Sequence, residues 1–138
     1  MSTAVAQRKK AKESPAPEAI LSFTANHLWV RVEGDRAQIG LSDYGQSALG
    51  EIIAVELPEV GESIERGTAF GELESVRTVH ELSAPVSGTV IDVNADLEDQ
   101  PDLVNEDPYR EGWLVEVQIN DPLELDDLLP ADEYEGSR

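Results

Sequence analysis

The side chains that could perform acid–base or nucleophilic chemistry are few in this sequence, and their spacing is not typical of any catalytic motif. There is no cysteine, which excludes thiolate nucleophiles, disulfides and cysteine-ligated metal sites. The two histidines, His27 and His80, are far apart along the chain and lack metal-ligand spacing. Carboxylates are so abundant that paired acids occur by chance, and no nucleophile elbow, phosphate-binding loop or His-Glu-Xaa-Xaa-His motif is present. The sequence therefore predicts no catalytic residue and no metal site.

Charge is distributed unevenly along the chain. The 138 residues include 29 acidic and 10 basic ones, and the formal net charge is -19. Residues 1–12 contain Arg8, Lys9, Lys10 and Lys12 but no acid, and residues 13–138 contain no lysine. Because phosphate binding needs clustered Lys and Arg, we expect no binding to nucleic acid or to an anionic membrane. The acidic surface either favours basic partner surfaces or only keeps the protein soluble.

The length predicts one domain with one core. Residues 1–18 are polar and lack an apolar period, which predicts a disordered tail followed by a domain over residues 19–138. No apolar run is long enough for a transmembrane span or a secretory signal. We therefore expect a cytoplasmic protein, or, because residues 1–12 contain no acid, a mitochondrial matrix protein if its source is eukaryotic.

The element that would position a functional residue is a hairpin over residues 71–88. The pattern is typical of a strand, a tight turn and a second strand, with an exposed tip at Ser75-Val76-Arg77. Apolar Phe70, Leu73 and Val76 lie on the way into the tip, and Val79 and Leu82 lie on the way out. Ala84-Pro85-Val86-Ser87-Gly88 ends the hairpin, because Pro cannot donate to a strand ladder and Gly permits positive φ. We expect the function of the protein to involve the tip.

The remaining segments predict a mainly β domain with short helices. Strands are expected over residues 20–23, 27–32, 37–41, 50–56, 69–74, 88–94 and 113–118. A helix over residues 44–49 is capped by Ser42 or Asp43 and ends at Gly50. Tyr44, Ala48 and Leu49 are its candidates for the core-facing side. Another helix near the C-terminus has Pro122 at its first position. The leucines expected on its buried face are Leu123, Leu125, Leu128 and Leu129.

Two pairs of segments suggest an internal repeat. Residues 50–56 are similar to residues 88–94, and residues 69–74 are similar to residues 113–118. Two four-stranded halves related by a pseudo-two-fold axis would close a small barrel or sandwich. The alternative is a chance likeness between β-rich stretches.

Several blocks of the sequence resemble the glycine cleavage system H-protein family, from about residue 21 to residue 134. These blocks include Asn26-His27-Leu28-Trp29-Val30, Gly40-Leu41-Ser42-Asp43-Tyr44, Val55-Glu56-Leu57-Pro58-Glu59-Val60-Gly61, Gly71-Glu72-Leu73-Glu74-Ser75-Val76, Ala84-Pro85-Val86-Ser87-Gly88, Pro101-Asp102-Leu103-Val104-Asn105-Glu106-Asp107-Pro108-Tyr109 and Gly112-Trp113-Leu114. The resemblance implies a barrel-sandwich hybrid, the lipoyl-domain-like fold, with short helices. It also implies a non-catalytic carrier role in glycine catabolism, in which an aminomethyl group moves on a lipoyl arm. The implied partners are a pyridoxal-phosphate decarboxylase, a folate-dependent aminomethyltransferase and a dihydrolipoyl dehydrogenase, or lipoylation enzymes.

The sequence departs from that family at the position of the lipoyl arm. Family members carry the arm on the lysine of a Glu-Ser-Val-Lys motif, which reads Glu74-Ser75-Val76-Arg77 here. Because a guanidinium stays charged and is a poor acyl acceptor, we expect Arg77 to be unmodified and the chain to carry no lipoate. Biotin carriage is excluded for the same lack of a lysine.

Two readings of Arg77 remain open. In the first, the protein is a non-lipoylated H-protein-like paralogue with a partner-binding or regulatory role. In the second, it is a genuine lipoyl carrier in which the acceptor lysine was deliberately replaced by Arg77. The neighbouring Thr78 and His80 also depart from the family pattern, which favours the first reading. A different class, an enzyme that uses the acidic surface for metal-assisted chemistry, is disfavoured.

Overall fold

The computed structural model describes residues 21–134. Its strands are β1 (Leu21–Phe23), β2 (Leu28–Glu33), β3 (Arg36–Leu41), β4 (Ile52–Glu56), β5 (Ser63–Ile64), β6 (Ala69–Ser75), β7 (Val79–Ser83), β8 (Gly88–Val93), β9 (Val115–Ile119) and β10 (Leu129–Pro130). Its helices are α1 (Asp43–Leu49), α2 (Asp96–Asp99), α3 (Leu103–Glu106) and two 3-10 helices, Pro122–Asp127 and Ala131–Glu133. The tail predicted over residues 1–18 and the first two residues of the predicted domain lie outside the described residues.

The strands form two antiparallel sheets that share one core. The larger sheet has the order β10-β1-β2-β3-β9-β8-β5, and the smaller one has the order β4-β6-β7. Apolar side chains of both sheets form one cluster, to which Val30 and Ile39 contribute from the larger sheet and Leu73 and Leu82 from the smaller. Burial of each such side chain contributes about 1.5–3 kcal/mol. The predicted mainly β, barrel-sandwich architecture with short helices is therefore confirmed.

The predicted internal repeat is visible in the strand pairing. β4 pairs antiparallel with β6, and β8 pairs antiparallel with β9. The register shifts between Ile52 and Ala54 in the first pair and between Val90 and Asp92 in the second. These bulges occupy equivalent positions in the similar segments. The halves are not four-stranded as expected, because β8 and β9 join the larger sheet whereas β4 and β6 form the smaller one with β7.

The predicted hairpin is formed by β6 and β7, but Gly88 has a different role from the expected one. Gly88 does not have a positive φ, unlike Gly34 and Gly50. A Cβ atom at Gly88 would lie 2.1 Å from the carbonyl oxygen of Gln118. Glycine is required there because β8 and β9 approach each other closely, not because the chain turns.

Helix α1 begins and ends as predicted, but it buries a different face. The Ser42 hydroxyl oxygen accepts a hydrogen bond from the Gly45 amide at 3.0 Å, and Gly50 has a φ of 85°. The prediction that Tyr44 and Ala48 face the core is wrong, since both are exposed, whereas it is confirmed for Leu49, which is half-buried against the core. Gly45 is the buried residue, and a Cβ there would lie 2.9 Å from a Leu41 methyl group. The helix packs closely along the side that has no side chain.

The C-terminal helix is 3-10 rather than α-helical. Asp121 caps it by accepting from the Leu123 amide, and Pro122 is its first residue, as expected. The predicted leucine face is confirmed in part: Leu125 and Leu128 are half-buried against the core, whereas Leu123 is 72% exposed and Leu129 belongs to β10, paired with Phe23. A 3-10 helix has three residues per turn, so Leu125 and Leu128, which are three residues apart, share a face that Leu123 does not.

Candidate functional site

The tip of the hairpin is closed by the side chain of Ser75. The last strand pair joins Glu74 and Val79, and the Ser75 amide donates to the Thr78 carbonyl oxygen at 2.8 Å. The Ser75 hydroxyl oxygen accepts from the amides of Arg77 and Thr78, at 3.1 and 3.2 Å. Ser75 itself is only 6% exposed. One buried hydroxyl therefore satisfies both of these turn amides and fixes where Arg77 leaves the backbone.

Arg77 reaches from the tip to the end of helix α1. Its Nη1 donates to the Ala48 carbonyl oxygen at 2.8 Å. Its side chain also lies against Gly50, where a Cβ atom would be 3.3 Å from the Arg77 Nε. The last turn of α1 contains no basic residue, so the guanidinium supplies the cation that the negative end of a helix favours. The side chain of Arg77 is therefore hydrogen-bonded to the body of the domain and does not simply extend into solvent.

The segment beneath the tip is held by Asn105 of helix α3. The Asn105 amide group donates to the carbonyl oxygen of Gly50 and to the side chain of Gln46, each at 2.9 Å. Its Oδ1 accepts from the Ile52 amide at 2.8 Å. At the tip, the amide of Val76 donates a hydrogen bond to the Glu51 carbonyl oxygen at 3.0 Å. Asn105 therefore connects α1, β4 and, through the Gly50–Ile52 segment, the tip.

The structure brings the predicted site residues together, although not all of the hairpin apolar residues are buried. Glu74, Ser75, Val76 and Arg77 are contiguous at the end of β6, as expected. Of the apolar residues along the arms, Phe70, Leu73 and Leu82 are buried. Val76 and Val79 are 60% and 57% exposed, which for Val76 agrees with the predicted exposed tip, whereas the prediction is wrong for Ser75, which is buried. The tip thus presents apolar surface to solvent.

Asn105 and the end of α1 are site features that the motif analysis did not single out. Asn105 lies in the block of residues 101–109, about 30 residues after the tip in the sequence. Spacing alone cannot place it under the hairpin, because the contact depends on the fold. The sequence signal that could have identified Asn105 was its position in a block that is specific to the resembled family.

The two histidines lie near each other in the fold, despite their separation in sequence. His27 has a φ of 71°, and its Nδ1 lies 2.6 Å from the Tyr134 hydroxyl oxygen. Burial lowers the pKa of His80, and the nearby charge of His27 lowers it further. Among residues 21–134, no three His, Asp or Glu side chains are grouped so that they could hold a metal ion. Tyr134 is thus the hydrogen-bond partner of His27, and His80 is half-buried.

No helix within the described part of the chain is both long and apolar enough to cross a membrane.

Comparison with known sequences and structures identifies relatives along nearly the whole described region. The family model for the glycine cleavage H-protein matches residues 21–137. The glycine cleavage system H protein of Staphylococcus carnosus is 53% identical over 114 residues, covering 83% of this chain and 90% of that protein. The protein of the same name from Geobacillus kaustophilus is 53% identical over 116 residues, covering 84% and 91%.

A solved structure gives the same result at the level of the fold. The crystal structure of a glycine cleavage system H protein from Mycobacterium marinum superposes with a TM-score of 0.74. The two sequences are 38% identical, and the match covers 84% of this chain and 94% of the other.

Proposed function

Because this chain belongs to the glycine cleavage H-protein family, we propose that it is a non-catalytic member that docks on partner proteins without carrying a lipoyl arm. The observation that carries the proposal is Arg77, which stands where the family motif Glu-Ser-Val-Lys has its lysine. The surrounding hairpin is retained, with Glu74, Ser75 and Val76 in place. The surface that presents the arm is thus kept while the attachment point is changed.

The chemistry of the tip does not fit an amide-linked arm. Attachment of lipoate requires a neutral amine as the nucleophile. Arg77 offers a guanidinium instead, and this group keeps its proton in proteins. The same guanidinium is engaged with the Ala48 carbonyl oxygen. No residue from 13 to 138 is a lysine, and Lys9, Lys10 and Lys12 lack the flanking hairpin motif. No other amine in the domain can replace the acceptor.

The proposed partners are proteins rather than small molecules. They are the decarboxylase, the aminomethyltransferase and the dihydrolipoyl dehydrogenase of glycine cleavage, or the enzymes of lipoylation. A protein that binds these partners without carrying an aminomethyl group would occupy or regulate their docking surfaces. We place this activity in the cytoplasm, or in the mitochondrial matrix if the source is eukaryotic.

Co-expression with a lipoate ligase in the presence of lipoate tests the proposal directly. The intact mass of the native chain should show no lipoyl increment, whereas Arg77→Lys should gain one because the flanking hairpin is retained. A lipoyl increment on the native chain would contradict the proposal.

Binding of the native chain to each purified partner completes the test. We expect a complex with at least one of them, and a chain that binds none would contradict the docking role. If Arg77→Lys is lipoylated and also supports glycine decarboxylation, the result favours the other reading, a carrier in which only the acceptor was exchanged.

A further inference from the structure

The outer face of the small sheet carries a row of three glutamates. In β6, Leu73 is buried in the core, so the alternating neighbours Glu72 and Glu74 point to the opposite face. Glu72 pairs with Glu56 on β4 and with Glu81 on β7. The three carboxylates therefore lie side by side across all three strands of the sheet.

No cation offsets this row within residues 21–134. The ion pairs in that part of the chain join Arg36 to Glu116 and Arg66 to Asp127, and neither involves the row. The nearby tip cation, Arg77, is directed to the Ala48 carbonyl oxygen instead. Like charges directly opposite each other across strands are destabilising, so the sheet retains the row at a cost to its own stability.

Next to the glutamate row, towards the tip, the same face carries exposed apolar side chains on either side of Glu74. The adjacent row consists of Ala54, Glu74 and Val79, which pair across the three strands. Ile53, at the β4 bulge, is 47% exposed, and Val76 and Val79 are exposed to a greater extent. Exposed apolar side chains grouped beside polar ones are typical of protein interaction sites. The outer face thus combines exposed apolar side chains around Glu74 near the tip with the row of three glutamates behind them.

We propose that this outer face of β4, β6 and β7 is the docking surface for a partner protein that presents apolar side chains beside Lys or Arg. The proposal rests on the proposed docking function and specifies where docking occurs. Apolar contacts at Ile53, Val76 and Val79 provide the buried centre of the interface. The glutamate row pairs with the basic residues, which steers the partner and removes the repulsion between the carboxylates.

The competing occupant is this chain's own N-terminal segment, which contains Arg8, Lys9, Lys10 and Lys12. The two occupants can be separated because lysines occur nowhere else in the chain. A zero-length carbodiimide joins carboxylates to amines. In a complex, crosslinks from Glu56, Glu72 or Glu81 to lysines of the partner support the proposal. Crosslinks from these glutamates to Lys9, Lys10 or Lys12 instead would overturn it.

The second part of the test compares the partner affinities of two variants that each replace one glutamate by lysine. The probes are the purified aminomethyltransferase, decarboxylase, dihydrolipoyl dehydrogenase and lipoate ligase. For those that bind the native chain, Glu72→Lys should weaken the affinity by at least about tenfold and reduce its salt dependence. The control Glu111→Lys makes the same charge change at an exposed site before β9 and should leave the affinity nearly unchanged.

The outcomes separate this proposal from the function on which it rests. If a probe binds and Glu72→Lys behaves like Glu111→Lys, docking occurs on another surface and the proposal is wrong, while the docking function stands. If none of the four proteins binds the native chain, the docking function itself fails and the assignment of the face fails with it. Ile53→Ser should also weaken binding. An unchanged affinity would show that the exposed apolar side chains near the tip are not part of the interface.

Discussion

At the scale of single residues, the site depends on one buried hydroxyl and one guanidinium. Ser75 is part of the quoted motif, and the sequence alone identifies it as a neighbour of the tip. Its role becomes clear only from its hydrogen bonds, since its oxygen accepts from the amides of Arg77 and Thr78. Arg77 is likewise located by sequence, whereas its bond to the Ala48 carbonyl oxygen depends on how α1 lies against the hairpin.

Ser75→Ala should loosen the tip. The substitution leaves two turn amides without their acceptor, and a net loss of about 1–2 kcal/mol in the free energy of unfolding is expected. Urea unfolding followed by tryptophan fluorescence measures this loss. Because trypsin cleaves after arginine, cleavage between Arg77 and Thr78 should also become faster relative to cleavage at the other arginines.

The matched control is Ser47→Ala, on the exposed side of α1. It removes a hydroxyl of the same kind that bonds to neither turn amide, and both the stability and the cleavage rate at Arg77 should stay close to those of the native chain. If Ser75→Ala and Ser47→Ala are indistinguishable, the hydroxyl of Ser75 does not order the tip.

At the scale of elements, helix α3 supports the tip through Asn105. Its side chain makes three hydrogen bonds, to Gln46, Gly50 and Ile52, which lie on either side of the junction between α1 and β4. Asn105→Ala would leave a backbone amide and a backbone carbonyl without partners in a half-buried position. We expect a loss of about 2 kcal/mol in the free energy of unfolding, from several bonds of about 1 kcal/mol each.

The control for this prediction is Asn120→Ala, at an exposed position after β9 where the side chain makes no hydrogen bond within the described residues. Its stability should match that of the native chain. The amide resonance of Val76, bonded to the Glu51 carbonyl oxygen, should shift in Asn105→Ala but not in the control. An unshifted resonance would show that α3 does not influence the tip.

The elements also show which parts of the fold the sequence could predict. The hairpin of β6 and β7 and the start of α1 follow from local signals, namely the alternation of apolar residues and the capping by Ser42. The buried face of α1 was not predictable in this way, because a helix of seven residues packs through Gly45, which carries no side chain. The role of Gly88 was missed for a similar reason, since its close contact is with Gln118, thirty residues away in sequence.

At the scale of the whole molecule, the dominant feature is negative charge. The chain carries a formal net charge of -19, and only two ion pairs occur in the described part of it. Both involve exposed side chains, which contribute little to stability. Composition predicted this imbalance but not its arrangement, because the row of Glu56, Glu72 and Glu81 is created by the register of three strands.

Self-repulsion of this size should make the stability of the folded chain increase with salt. Raising NaCl from about 10 mM to about 150 mM shortens the screening length from about 30 Å to about 8 Å, which weakens repulsion between carboxylates. We expect the free energy of unfolding, measured with urea because it is uncharged, to rise by on the order of 1 kcal/mol. Glu72→Lys should show a smaller rise than Glu111→Lys, although both change the net charge equally, because only the first interrupts the glutamate row. Equal salt responses of the two variants would mean that the repulsion is spread over the whole surface, and that the small sheet carries no special share of it.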